Sequence, residues 1–245
     1  MPPKRSQEAH VRRYAGLKSE GKKGWDKIGS PEKSQPDPFA DLKKFLDSPW
    51  LPSGGLALDV GCGGGQGSFL LAKHWLAKGV SEFSICGIDF VPEAIAMAER
   101  NRFEEDLSQT GITFGSCEIP SGMKGIPEMS TDVIIDNHFF HCLVDQDERA
   151  AYLRECARVL TPDGVFFLAT MLSTNIYLPN YEHRPSPRNL EGFQSFQTDQ
   201  DGEHQDRYYV DKNELFQDLD VAGLETFFHE DSEGDIALYA RRKAS

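Results

Sequence analysis

Leu56-Ala57-Leu58-Asp59-Val60 runs directly into Gly61-Cys62-Gly63-Gly64-Gly65-Gln66-Gly67, and residues 68–77 then carry helical spacing. A short apolar strand, a glycine-rich turn and a helix make one continuous unit. Glycine lets the backbone come close to a ligand, and a helix N-terminus aims free N–H groups at it. This unit commits the chain to an α/β arrangement with a ligand meeting main chain at the strand's carboxyl end.

The rest of the chain repeats the alternation. Strands are predicted at 83–90, 112–117, 132–137 and 165–170, and helices at 92–100 and 148–160, the latter with apolar residues at 150, 153, 157 and 160. Upstream, apolar positions 39, 42, 45 and 46 predict an amphipathic helix with Pro38 at its first turn. Thr161-Pro162-Asp163-Gly164 stops the helix at 148–160. Downstream, 207–210 reads as extended and 211–221 as a helix, and 225–230 with 235–241 forms an antiparallel pair. Short apolar strands alternating with amphipathic helices build a parallel sheet covered on both faces. The fold expected is α/β: a Rossmann-like, doubly wound, mostly parallel seven-stranded sheet with an antiparallel C-terminal edge hairpin.

Composition narrows the partners. The 245 residues carry a net charge of −13, but residues 1–35 hold nine Lys/Arg against four Asp/Glu, which is +5 and leaves −18 for the remainder. Such an acidic body repels phosphate backbones, so nucleic acid is not expected as the main partner. No run of 18 apolar residues exists and the start is polar, so neither a membrane span nor a secretory signal is expected. Five scattered cysteines without a CxxC pair suit a reducing compartment, and a cytoplasmic location is expected. The organisation expected is a basic N-terminal arm over 1–35, either a solvated tail or a cap over the site. A domain over 36–245 follows, carrying a patternless insertion at about 171–206 as a lid or binding loop.

Ligands of an open α/β sheet bind at the carboxyl ends of its strands. Here those ends carry the glycine turn, Asp89, Ser116 with Cys117, Asp136-Asn137-His138 and Thr170. Asp89 stands 28 residues after Gly61, where a carboxylate can accept hydrogen bonds from two ribose hydroxyls. The dinucleotide pattern G-x-G-x-x-G fails, because Gln66 or Ser68 occupies its last position. The spacing that holds is Asp59-x-Gly61-x-Gly63-x-Gly65.

With these motifs in order the chain resembles the class I S-adenosylmethionine-dependent methyltransferases, particularly their small-molecule branch. Asp59–Gly65 is similar to that family's first motif, Asp89-Phe90 to its second, and Arg158-Val159-Leu160-Thr161-Pro162-Asp163-Gly164 to its helix-to-strand turn. The resemblance implies S-adenosyl-L-methionine as cofactor and a small-molecule acceptor. It implies a cradle of Asp59, Gly61, Gly63 and Gly65, with Asp89 on the ribose, Phe90 on adenine, Ser116 and Cys117 near the base and Asn137 beside the methionine portion.

Two features depart from the family. Ser116 and Cys117 stand where an acidic residue often meets adenine, and Cys142 stands where a histidine is common. The segment after Asn137 is not the Asn/Asp-Pro-Pro-Tyr/Phe of amino-methylating nucleic-acid enzymes, and no Pro-Cys nucleophile occurs.

Methyl transfer needs alignment and, where the acceptor has a proton to lose, a base. His138 is the first candidate and His141 the second; the competing reading of each is a packed structural histidine. His138, His141 and Cys142 lack a fourth ligand, so no metal is expected. Tyr14 and Trp25 of the arm, Tyr177 and Tyr181 of the insertion, and Arg207 are the expected acceptor contacts. Two other classes compete: a nicotinamide-dependent oxidoreductase, disfavoured by Gln66 and Ser68, and a non-catalytic S-adenosylmethionine-binding protein.

Overall fold

The computed structural model describes residues 5–19, 21, 23–24, 37–173, 193–198, 204–232 and 234–244. Helices α1 (Arg5–Ser19) and α2 (Ala40–Leu46) precede strand β1 (Gly55–Val60). The chain then alternates through α3 (Gln66–Ala77), β2 (Phe83–Asp89), α4 (Pro92–Glu104), β3 (Ile112–Ser116), β4 (Thr131–Asn137), α5 (Gln146–Val159) and β5 (Leu160–Met171). Strands β6 (Phe193–Thr198) and β7 (His204–Tyr209), helix α6 (Lys212–Val221) and strands β8 (Leu224–Ser232) and β9 (Asp235–Arg242) complete it.

Seven strands form one sheet in the order β3-β2-β1-β4-β5-β9-β8. The pairs among β1–β5 are parallel, whereas β9 runs antiparallel to both β5 and β8. This is the sheet expected from the alternation. Successive side chains of a strand face opposite sides, and the burial follows. Ala57, Val133, Ile135 and Phe167 pack with Phe45 of α2 and with Phe69 and Trp75 of α3. Their neighbours Leu58, Ile134, Phe166 and Leu168 pack with Tyr152, Leu153 and Cys156 of α5 and Leu215 and Leu219 of α6. The order reverses at β1–β4, which leaves their carboxyl ends facing a common crevice.

Several local expectations are corrected. Pro38 is not in the first helical turn. The Asp37 carboxylate accepts from Phe39 N at 3.0 Å, and this local turn delays the helix to Ala40, with Phe39 as N-cap. The turn Thr161-Pro162-Asp163-Gly164 ends α5 as expected, but it also bulges from β5. Thr131 pairs with Leu160 and Val133 with Val165, so four residues stand opposite Asp132 alone. The Asp132 carboxylate staples that bulge to β1, accepting from Thr161 Oγ1 at 3.2 Å and Leu56 N at 2.9 Å.

The largest correction concerns the patternless insertion. β6 and β7 form an antiparallel ladder from Phe193↔Tyr209 to Thr198↔His204. The hairpin strands mix Gln, Ser, Asp and Phe without apolar alternation, so periodicity cannot show them. The basic arm, whose periodicity is weak, forms the 15-residue α1, which packs against β7 and α4. Tyr14 and Leu17 are buried there against Val91, Ala94 and Met97. Among the described residues no helix is long and apolar enough to cross a membrane.

Candidate functional site

The glycine turn is built on left-handed backbone: φ is +66° at Gly61, +52° at Gly63 and +85° at Gly65, which caps α3. At Gly63 a side chain is excluded twice over, by conformation and by space. A Cβ there would sit 2.4 Å from Tyr14 Oη. At Gly65 it would lie 2.8 Å from the rings of Phe69 and Phe114. The turn is pinned to the end of β2, since Cys62 N donates to Ile88 O and Gly63 N to Asp89 Oδ2, both at 3.0 Å.

Two buried carboxylates flank the turn. Asp59 accepts from Ser68 Oγ at 2.7 Å, and Asp89 accepts from Val91 N at 2.9 Å through its other oxygen. Burial pushes both up to about 6, and the Asp89 charge adds to the rise of Asp59. Backbone N–H groups of Gly63, Val91 and Phe90 converge on the Asp89 carboxylate and fix its orientation at the end of β2. Ser116 pairs with Asp89 in the ladder, and Cys117 N donates to Asp89 O at 3.0 Å. Both therefore lie beside Asp89; Ser116 is exposed, Cys117 half-buried. Phe90, also half-buried, meets the ring of His10 edge-on at 5.7 Å.

The end of β4 forms the second wall. Asp136 is wholly buried, taking the amides of Phe139 and Phe140 on Oδ1 at 2.7 and 3.1 Å and the Tyr152 hydroxyl on Oδ2 at 2.8 Å. Burial, opposed by these three donors, brings it to about 7. This cap turns the chain sharply, and His138 takes a left-handed conformation at φ +72°. Such backbone in a residue other than glycine is uncommon and clusters at functional sites.

Asn137 Nδ2 donates to Pro38 O at 3.1 Å. Its Oδ1, with Nδ1 of His138 and of His141, is buried without a hydrogen-bond partner among the described residues. The two imidazole centroids are 5.7 Å apart. Burial holds both rings below their ordinary value, and the nearby Arg207 charge lowers them further. Both are thus held in the neutral form, and the same burial disfavours the protonated one.

The structure brings Asp59, Gly61, Gly63, Gly65, Asp89, Phe90, Ser116, Cys117, Asn137, His138 and His141 to one edge of the sheet, with Tyr14 over Gly63. Arg207 arrives from β7, buried, its Nη2 3.4 Å from His10 Nε2. Trp25, Tyr177 and Tyr181 lie outside the described residues. Sequence reasoning missed His10, although His10, Tyr14 and Leu17 recur at the i, i+4, i+7 spacing of one helix face. It also gave Asp136 no role.

The family model described as a methyltransferase domain matches residues 52–211. The chain belongs to this methyltransferase-domain family. A curated relative, the mitochondrial ubiquinone biosynthesis O-methyltransferase of Bos taurus, is 29% identical over 51% of this chain and 30% of its own length. The chain thus spans about a third of that relative.

Among solved structures, a S-adenosylmethionine-dependent methyltransferase of Methanosarcina mazei aligns with TM-score 0.63 and 24% identity over 80% of this chain and 96% of its own. The 1,6-didemethyltoxoflavin-N1-methyltransferase of Burkholderia thailandensis, with 1,6-didemethyltoxoflavin and S-adenosylhomocysteine bound, aligns with TM-score 0.62 and 16% identity over 100% and 93%. At these identities the likeness concerns the fold. The matched methyltransferase domain includes the glycine turn, Asp89, Asp136, His138, His141 and Arg207, while α1 lies before it.

Proposed function

We propose that this chain is a S-adenosyl-L-methionine-dependent methyltransferase acting on a small-molecule acceptor. One observation carries the reading: in a methyltransferase-domain chain, a left-handed glycine turn is hung between two buried carboxylates at the switch point of a parallel sheet. When bound, S-adenosyl-L-methionine supplies an activated methyl group on a sulfonium centre. Asp89 offers a fixed carboxylate to its ribose diol, Phe90 an apolar face to adenine, and the orphaned Asn137 Oδ1 an acceptor to its ammonium group. Buried carboxylates held near neutrality suit a cation, which draws them toward the ionised form. Ser116 and Cys117, beside Asp89, border the base.

His138 is the proposed base and His141 its neighbour; both are neutral, and each has an unused ring nitrogen. The remaining work is alignment of the acceptor and exclusion of water. Tyr14 over Gly63 makes the N-terminal arm a cap, and Trp25, Tyr177 and Tyr181 are proposed to complete the acceptor contacts with Arg207. The Burkholderia structure holds 1,6-didemethyltoxoflavin, and the −18 carried outside the arm disfavours polyanions. With no helix among the described residues able to span a membrane, a cytoplasmic location is proposed.

Calorimetry with S-adenosylhomocysteine tests the cofactor assignment. Asp89→Ala should weaken binding more than about tenfold, since hydrogen bonds to a buried charged group are each worth about 1.5–3 kcal/mol. His138→Ala should leave that affinity level and lower turnover on any acceptor that a metabolite panel identifies. Equal affinity in the Asp89 variant, or quenching of NADH fluorescence by the wild type, would contradict the reading.

A further inference from the structure

The glycine turn lies at the edge of the sheet where a ligand has to enter, yet Gly63, Gly64 and Gly65 are all buried. The N-terminal arm covers them at two points. Tyr14 of α1 stands over Gly63, and farther along the arm the carbonyl of Lys23 lies against Gly64, where a Cβ would collide with it. Unlike Gly63 and Gly65, Gly64 does not take a left-handed conformation. Its missing side chain therefore serves the approach of the arm and not the shape of the turn.

Asn101 of α4 fastens this crossing. Its side chain is wholly buried, and Nδ2 donates to Lys23 O at 2.7 Å and to Gly64 O at 2.9 Å. An amide nitrogen carries two hydrogens, and these two carbonyls use both. Oδ1 is buried with no partner among the described residues, a cost that an apolar side chain of the same size avoids. What the asparagine supplies is the bridge between arm and turn. A second fastening lies at the surface, where Lys23 Nζ reaches Glu104 at 3.2 Å and Glu105 at 3.1 Å. These side chains are a quarter to a half exposed, so salt weakens their attraction and leaves the buried amide untouched.

We propose that Asn101 is a positioning residue of the cofactor site: it ties Lys23 across the glycine turn, and bound cofactor or its product leaves only when this tie opens. The proposal rests on the methyltransferase reading and adds to it the contact that governs residence time. Asn101 acts through Lys23 and Gly64.

The test is a chase. The full chain is loaded with radiolabelled S-adenosylhomocysteine, mixed with excess unlabelled ligand, and release is timed. Asn101→Leu should speed release about tenfold, as two lost hydrogen bonds imply. Gly64→Ala leaves Asn101 in place and pushes Lys23 away, and should speed release by a similar factor. Because both variants undo one contact, the double variant should release no faster than the faster single one. In the wild type, raising salt from about 0.05 to 0.5 M should speed release about twofold, and Lys23→Met should abolish that dependence. Leu107→Ala is the structural control, since Leu107 is buried in the core layer of Phe69 and Trp75 and not under the arm. It should lower the melting temperature and leave the release rate within about twofold of the wild type.

Unchanged release in Asn101→Leu overturns the proposal. So do effects that multiply in the double variant, or an acceleration in Leu107→Ala equal to that in Asn101→Leu. Failure of the wild type to bind S-adenosylhomocysteine would instead remove the methyltransferase reading, and the proposal with it.

Discussion

At Gly63 a hydrogen atom in place of a methyl group decides whether two parts of the chain can touch. Gly63→Ala forces a left-handed alanine, at a cost of about 1 kcal/mol, and drives Cβ to 2.4 Å from Tyr14 Oη. The variant should lose about 2 kcal/mol of stability in urea melts together with S-adenosylhomocysteine affinity. Because the clashing atom is the hydroxyl, adding Tyr14→Phe should restore part of both losses.

Asp136 offers a second test. Its folded value of about 7 lies above the ordinary 3.8, so its contribution to stability is complete below about pH 4 and is lost as pH rises through 7. His138 and His141 act oppositely: held below 6.5, they contribute above that pH and lose the contribution as it falls. Asp136→Asn isolates the carboxylate. Between pH 4 and 7 this variant should lose less stability than the wild type, by up to about 4 kcal/mol, measured by denaturation at each pH.

Elements differ in how openly the chain declares them. The strand–turn–helix around Gly61–Gly65 and the acid ending β2 are written locally: apolar residues, then glycines, then helical spacing within about twenty residues. The β6–β7 ladder is not, because it depends on pairing between two strands and neither carries an alternation of its own. α1 falls between these cases. One face reads His10, Tyr14, Leu17, but the surrounding Lys and Arg mask the period, and its partners lie in α4 and β7.

Among the described side chains of α1 only His10, Tyr14 and Leu17 are buried, and an element held by few buried side chains is locally less stable than the sheet. Leu17 is wholly buried, and Leu17→Ala should remove about 2–4 kcal/mol from the docking of α1. In hydrogen exchange the amides of α1 should then lose protection, while those of β1 and β4, central in the sheet, keep theirs.

Over the whole molecule the two faces of the sheet are covered independently, and the site lies at the edge where neither covering reaches. The charge is as unevenly placed as the core is even. With −18 outside the arm, like charges repel across the domain, and salt screens them over about 8 Å at physiological ionic strength. Raising the salt from about 0.01 to 0.15 M should therefore raise the melting temperature by a few degrees. An unchanged or lower melting temperature would show that local ion pairs such as Lys73–Glu105, at 2.6 Å, outweigh the repulsion.

The contact between His10 and Arg207 spans 197 positions of the chain. On a ribosome adding about 5–20 residues per second, the helix bearing His10 emerges roughly ten to forty seconds before the strand it must meet exists. Until then it has α4 to lean on and no hairpin to close against. α1 thus waits with its α4 contact made and its β7 contact missing until residues 204–209 are synthesised.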